Sequence, residues 1–438
     1  MHVSLRRAMA LCNIPFGLLL LAHVSHCTDR IISGRLNGSD SEVTSQIKMA
    51  LLVYLACMTI AKASQLTQRQ VFFYSVLASL MLWNILLNTY NLRASLEELT
   101  RYSVPALLLL YGYFYRDRLD HLVSACFVVT FLNNIVQCLM YSAWISNREF
   151  VPMEVLYGTL PRASGMAGLV GFSAMNFACA VISHFCLPPK RRLCYTVFFL
   201  TFALLAFAFK SLPAVALFTV AIIGRRGALI VPLILLTGTV GIITIAQWRT
   251  GVVTSALLDR YESYGIDVTS ARRDSYRVMW ESLAGGNLLG EGLGYFGGPA
   301  STKYDSPAYL EYNSLSPVYY GRTTTDTYYP HLFVELGLVG GAWFLGMLLL
   351  PWLTFRNRET LVPYAILCLY LFADSLASFL MHSLDAMPIT ALLFGIAGMS
   401  TVRSSEGGRG LLGGPNASRR SIPHMVETAR AARSPRVA

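Results

Sequence analysis

The sequence predicts an all-α polytopic membrane protein of about twelve transmembrane helices, with one long extracytoplasmic loop containing short helices. Three observations predict it. Hydrophobic residues make up 54% of the 438 positions and charged residues only 13%, with a mean hydropathy of +0.50, whereas a soluble domain carries about a quarter charged residues. Apolar runs of membrane-crossing length recur along the chain. Basic residues gather in short loops between those runs, the pattern that marks a cytoplasmic side.

The runs fall at roughly 8–26, 47–66, 70–92, 102–115, 121–143, 166–188, 194–209, 212–224, 227–247, 331–355, 361–381 and 385–402, at ~20 residues per crossing. The first, behind Arg6-Arg7, reads either as a signal peptide or as a retained span. Retaining it puts the clusters Lys190-Arg191-Arg192, Arg225-Arg226, Arg356 with Arg358, and the tail from Arg403 all inside, with both termini cytoplasmic. The net charge of +11 is then a consequence of topology, and a nucleic-acid partner is not needed to explain it. Nine scattered cysteines form no CxxC pair and no Cys/His cluster, so neither structural zinc nor a disulfide framework is expected.

This organisation divides the chain into residues 1–247 with nine helices, a large loop at 248–330, three helices within 331–402, and a Gly-, Ser-, Arg- and Pro-rich tail at 403–438 that reads as disordered. The exterior receives the loop 27–46, the loop 144–165 with Arg162, the turn at Lys210, and the interval 248–330.

That last interval is where chemistry is expected, because a long ordered loop among short ones is usually functional. It holds Arg272, Arg273, Arg277, Arg322, Asp326 and 11 of the 23 tyrosines. Residues 269–283 have helical spacing, with Ser270 as N-cap. Arg272 and Arg273 open that helix, followed by Tyr276 and Trp280. Guanidinium forks and a helix start together bind phosphate, although the same pair also suits lipid headgroups. In Asn287-Leu-Leu-Gly-Glu-Gly-Leu-Gly-Tyr-Phe296, glycines at alternate positions permit a tight backbone path near a ligand. No βαβ unit precedes them, so this is not a dinucleotide fingerprint. Asp326 and His331, five residues apart where the tenth run begins, are both candidate bases; singly, each also reads as a helix cap or an interfacial anchor.

Taken together these segments resemble the bacterial O-antigen polymerase/ligase family over roughly residues 160–345. Arg162-Ala-Ser-Gly165 with Asn176 is similar to the family's R-x-x-G…N start. Ser270-Ala-Arg272, followed 18 residues after the arginine by Gly290-Glu-Gly-Leu-Gly, looks like its S-x-R…G-x-G-x-G. Asp326-Thr-Tyr-Tyr…Glu335-Leu-Gly-Leu-Val-Gly340 is similar to its closing motif, which in the ligases carries His where Asp326 stands here. The family's S-R or S-K pair appears reversed, as Lys210-Ser211.

The resemblance implies glycosyl transfer at the outer face of the inner membrane, from a polyprenyl-diphosphate-linked glycan donor to a glycan acceptor. Arg162, Lys210 and Arg272, with Arg273 and Arg322 beside them, would hold the diphosphate, and Asp326 or His331 would act as base. Tyr276, Trp280 and the loop tyrosines would offer flat faces to sugar rings. Asp at the closing motif favours a polymerase over a ligase that loads lipid A core. A flippase and a chain-length regulator are the implied partners; no cofactor or metal is required if side chains supply the cations. A transporter is the competing class, but no two similar halves are visible.

Overall fold

The computed structural model describes chiefly residues 42–86, 90–114, 119–146, 155–156, 160–165, 168–187, 189–206, 208–223, 271–317, 324–325, 327–350 and 358–382. These form an α-helical membrane protein. Before the loop the helices are α1 (Glu42–Ala61), α2 (Gln68–Leu86), α3 (Leu92–Phe114), α4 (Leu119–Ile145), α5 (Gly168–Cys186), α6 (Pro189–Leu205) and α7 (Leu212–Ile223). The loop contributes α8 (Ala271–Ala284) and the short turns α9 (Pro299–Lys303) and α10 (Ala308–Glu311), and α11 (Tyr328–Leu349) and α12 (Arg358–Ser375) follow. One antiparallel bridge of two residues a side joins Val155–Leu156 to Leu160–Pro161.

Among the described residues, four helical stretches are long and apolar enough to cross a membrane: Gln68–Leu86, Cys126–Ile145, Gly168–Phe185 and Tyr328–Leu349. Gln46–Ala61, Leu212–Ile222 and Leu361–Ser375 are shorter apolar helices. The expected spans 227–247 and 385–402 lie outside the described residues, as do nearly all of 8–26, the tail 403–438 and the N-cap Ser270.

Helix α5 is the centre of the bundle, packed against α4, α6 and α12. Gly171, Ala174 and Ala178 recur on it at helical spacing, and small residues of this kind let neighbouring backbones approach closely. Asn134 and Asn176 exchange amide hydrogen bonds of 2.8 and 3.0 Å between α4 and α5. Gln137 on α4 accepts from the backbone N–H groups of Ser164 and Gly165 at 2.9 and 2.7 Å, fixing the entry into α5. Gln137→Leu is expected to leave both buried N–H groups unpaired and to cost about 2–4 kcal/mol, read as a lower thermal midpoint in detergent. An unchanged midpoint would show that the entry is held by other contacts.

Helix α3 starts ten residues before the expected span at 102. Glu97, Glu98 and Arg101 are the reason that the sequence reads as a loop there, and they are paired on the helix itself: Arg101 reaches Glu97 and Glu98 at 2.6 Å each. Glu98 is fully buried.

Candidate functional site

Arg162, Lys210 and Tyr276, two candidates for the diphosphate and one for the glycan, contact the segments 205–210 and 376–377, which Lys210 joins. Arg162, 5% exposed, donates from Nε to the Ala206 carbonyl at 3.2 Å, and the next residue, Ala163, donates to Leu205 at 3.0 Å. Four residues beyond Ala206, Lys210 lies in the 3₁₀ turn Phe209–Ser211 between α6 and α7. Its ammonium group donates to the Ala377 carbonyl at 3.2 Å and stands 3.0 Å from the fully buried carboxylate of Asp374. The phenol of Tyr276, on α8, donates to the neighbouring Leu376 carbonyl at 2.9 Å. The turn after α12 therefore anchors the lysine and the loop helix together.

The start of α8 is set by α11. Ser275 Oγ meets Thr327 Oγ1 at 2.7 Å, and Thr327 bonds Thr325 at 3.1 Å. Arg272 is half-buried in this corner, whereas Arg273 is exposed. Asp326 and Arg322 lie outside the described residues.

The glycine run is held first by side-chain donors: Asn84 on α2 donates to the Leu289 carbonyl, Tyr90 to Gly294, and Ser95 on α3 to Leu293. Gly337 breaks α11 with φ 70° and ψ −178°, a conformation essentially confined to glycine. The break frees two donors and two acceptors, which pair with the run: Leu338 and Val339 donate to Asn287 and Leu288, and Val334 and Glu335 accept from Glu291 and Gly292. A Cβ on Gly290 would stand 2.1 Å from Asn84 Oδ1 and 2.2 Å from the Glu335 carbonyl. Gly290 thus makes room for α2 and α11, and Gly294 for Ala94 of α3. Asn287 is the hub, accepting from Gly290 N–H at 2.7 Å while donating to the Val334 carbonyl and to Ser282 at 2.8 Å each. Asn287→Ala should cost about 2 kcal/mol, measured by chemical or thermal unfolding, and Asn287→Asp should retain only the acceptor part.

His331 is fully buried. Its Nδ1–H donates to the Phe296 carbonyl at 2.7 Å, while Phe296 N–H donates to Glu335, one helical turn on, at 3.2 Å. Its ring stacks on Tyr102 of α3 at 5.3 Å, and its Nε2 faces Glu98. Glu98 and His382, which complete this cluster, are absent from the sequence reading. The usable signal was a Glu pair running straight into an apolar run, since an ionisable group at membrane level rarely goes unpaired.

Most described loop tyrosines serve the loop's own core. Tyr295 donates to Glu311, Tyr312 to Glu291, and Tyr309 meets Ser301 at 2.8 Å. Burial pushes the Tyr309 phenol up to about 12. Burial likewise raises the Glu291 carboxyl above its ordinary value, against the bonds that Ser282 and Tyr312 donate to it. Trp280 on α8 is the open aromatic surface of this region, 64% exposed. Tyr261, Tyr264, Tyr319 and Tyr320 lie outside the described residues. No family model matches the chain and no curated protein matches it, so the reading of this site rests on its residues and their geometry.

Proposed function

We propose that this chain is a glycosyltransferase of the bacterial inner membrane that polymerises polyprenyl-diphosphate-linked oligosaccharides into a surface or exopolysaccharide. In this reading it has twelve spans and cytoplasmic termini, and the interval 248–330 is periplasmic. The observation that supports it most is the meeting of Arg162, Lys210 and the Arg272 helix around residues 205–210 and 376–377. Two basic side chains, together with a helix whose first turn carries Arg272, suit a diphosphate leaving group, because negative charge grows there as the glycosidic bond breaks.

In the proposed reaction the acceptor hydroxyl attacks the anomeric carbon, its proton passes to a base, and the polyprenyl diphosphate departs with the bonding electrons. Asp326 is the preferred base, since both ring nitrogens of buried His331 face protein groups. Trp280 offers the glycan a flat face. The cations are side chains, so the transfer itself requires no metal.

The test is a strain deleted for this gene and complemented with variants. Arg272→Ala is expected to abolish surface polymer while membrane abundance stays normal, with single lipid-linked repeat units accumulating on the outer leaflet. Normal chain length in Arg272→Ala, or accumulation on the inner leaflet, would overturn the reading. Loss of polymer transfer onto lipid A core with polymer length intact would instead mark a ligase.

A further inference from the structure

Beneath the glycine run, Glu98 of α3, His331 of α11 and His382 of the 3₁₀ turn Leu380–His382 point one atom each at a common centre. These atoms lie within 4.8 Å of one another. Glu98 Oε1 is 3.1 Å from His331 Nε2 and 3.8 Å from His382 Nδ1. The three side chains are 0%, 0% and 4% exposed. None of these three atoms has a hydrogen-bond partner of acceptable geometry. Three buried polar atoms without a hydrogen bond at one point are costly unless something lies between them.

The outward-facing atoms of the same groups are occupied. Nδ1 of His331 is bonded to the Phe296 carbonyl at 2.7 Å, which requires Nδ1–H and turns the Nε2 lone pair toward the centre of a neutral ring. Nε2 of His382 meets the Tyr328 hydroxyl at 3.1 Å. The other oxygen of Glu98 takes Arg101 at 2.6 Å. This is the arrangement of metal-bound imidazoles, whose remote nitrogen is held by a carbonyl or hydroxyl that orients the ring.

We propose that Glu98 Oε1, His331 Nε2 and His382 Nδ1 bind a divalent late first-row cation of the zinc type. Two imidazoles and a carboxylate suit such ions. With metal–ligand bonds of about 2.0–2.1 Å, tetrahedral neighbours stand about 3.4 Å apart, between the two separations seen here. Gly298 keeps the approach open, since a Cβ there would stand 2.7 Å from the His331 ring and 3.1 Å from Glu98 Oε2. The site is closed to solvent, so the cation acts as a structural clamp. It ties together α3, α11 and the segment after α12, and through Phe296 it secures the glycine run. The site stands apart from the proposed transfer and is independent of that reading.

The experiment uses the full chain in detergent, purified on a histidine-free affinity tag without chelator. Elemental analysis is expected to find close to one equivalent of zinc or a neighbouring metal. Stripping with a chelator should lower the melting midpoint by several degrees, and Zn²⁺ should restore it. Co²⁺ in its place should give the visible absorption of a low-symmetry nitrogen/oxygen site. His382→Ala should lose the metal and the zinc-dependent shift, and Glu98→Gln should weaken zinc binding by at least tenfold. Because either variant could fold poorly, the wild-type measurements also decide. Metal below about a tenth of an equivalent with no shift on adding Zn²⁺ would overturn the proposal. An equal zinc-dependent shift in His382→Ala and wild type would also overturn it. The cluster would then be an ion triad, with doubly protonated His331 between Glu98 and Glu335, whose Oε1 lies 3.4 Å from Nδ1.

Discussion

Gly337→Ala is expected to destabilise the protein by about 4 kcal/mol or more and to release the 287–292 segment from α11. Two costs add. Holding an L-residue at φ 70°, ψ −178° costs on the order of 1–3 kcal/mol. The new methyl would also lie 2.4 Å from Gly290 N and 2.5 Å from the Leu288 backbone. Neither neighbour is the end of a flexible side chain, so relief requires the two backbones to separate. Separation endangers four cross-segment hydrogen bonds worth about 1 kcal/mol each. Thermal unfolding in detergent and protease nicking within 285–300 would measure it. A variant with the wild-type midpoint and an uncut loop would show that the break in α11 is not required.

The second large effect is expected at Lys210 and Asp374. Removing one member of a buried ion pair leaves the other uncompensated and costs about 3–5 kcal/mol. Lys210→Met should therefore destabilise strongly, and Asp374→Leu should do the same. The double variant should recover most of the loss, because two apolar groups then replace two charges. A double variant no more stable than the worse single one would mean that Lys210 is stabilised chiefly by Ala377 and not by Asp374. If Lys210 also serves the diphosphate, the double variant will be stable and inactive. That outcome separates its structural role from its chemical one.

Much of the helical order was legible because apolar runs bounded by charges or breaks have one physical meaning in so greasy a chain. Expected runs 121–143, 166–188 and 212–224 match α4, α5 and α7 to within a few residues. The start of α3 was not legible. Charges read as solvent-exposed until their partners are known, and here Glu98 is buried against Arg101 and His331. The glycine run is legible only in part: glycine announces that something comes close, not what. Here it is Asn84 and the carbonyl of Glu335. His382 lies beyond the end of an apolar run, and nothing local connects it to Glu98. The grouping of Arg162, Lys210 and α8 came from resemblance, since no periodicity links positions so far apart in sequence.

The break in α11 also bears on the order in which the protein can be made. A ribosome delivers residues 287–292 before residues 334–339, so the partner of the broken helix already exists when the helix emerges. In lipid, four unpaired backbone groups would each cost several kcal/mol. Residues 287–292 are what pairs them, so α11 carries its break only together with that earlier segment. The earlier segment thus supplies the backbone pairing that the later helix lacks within itself.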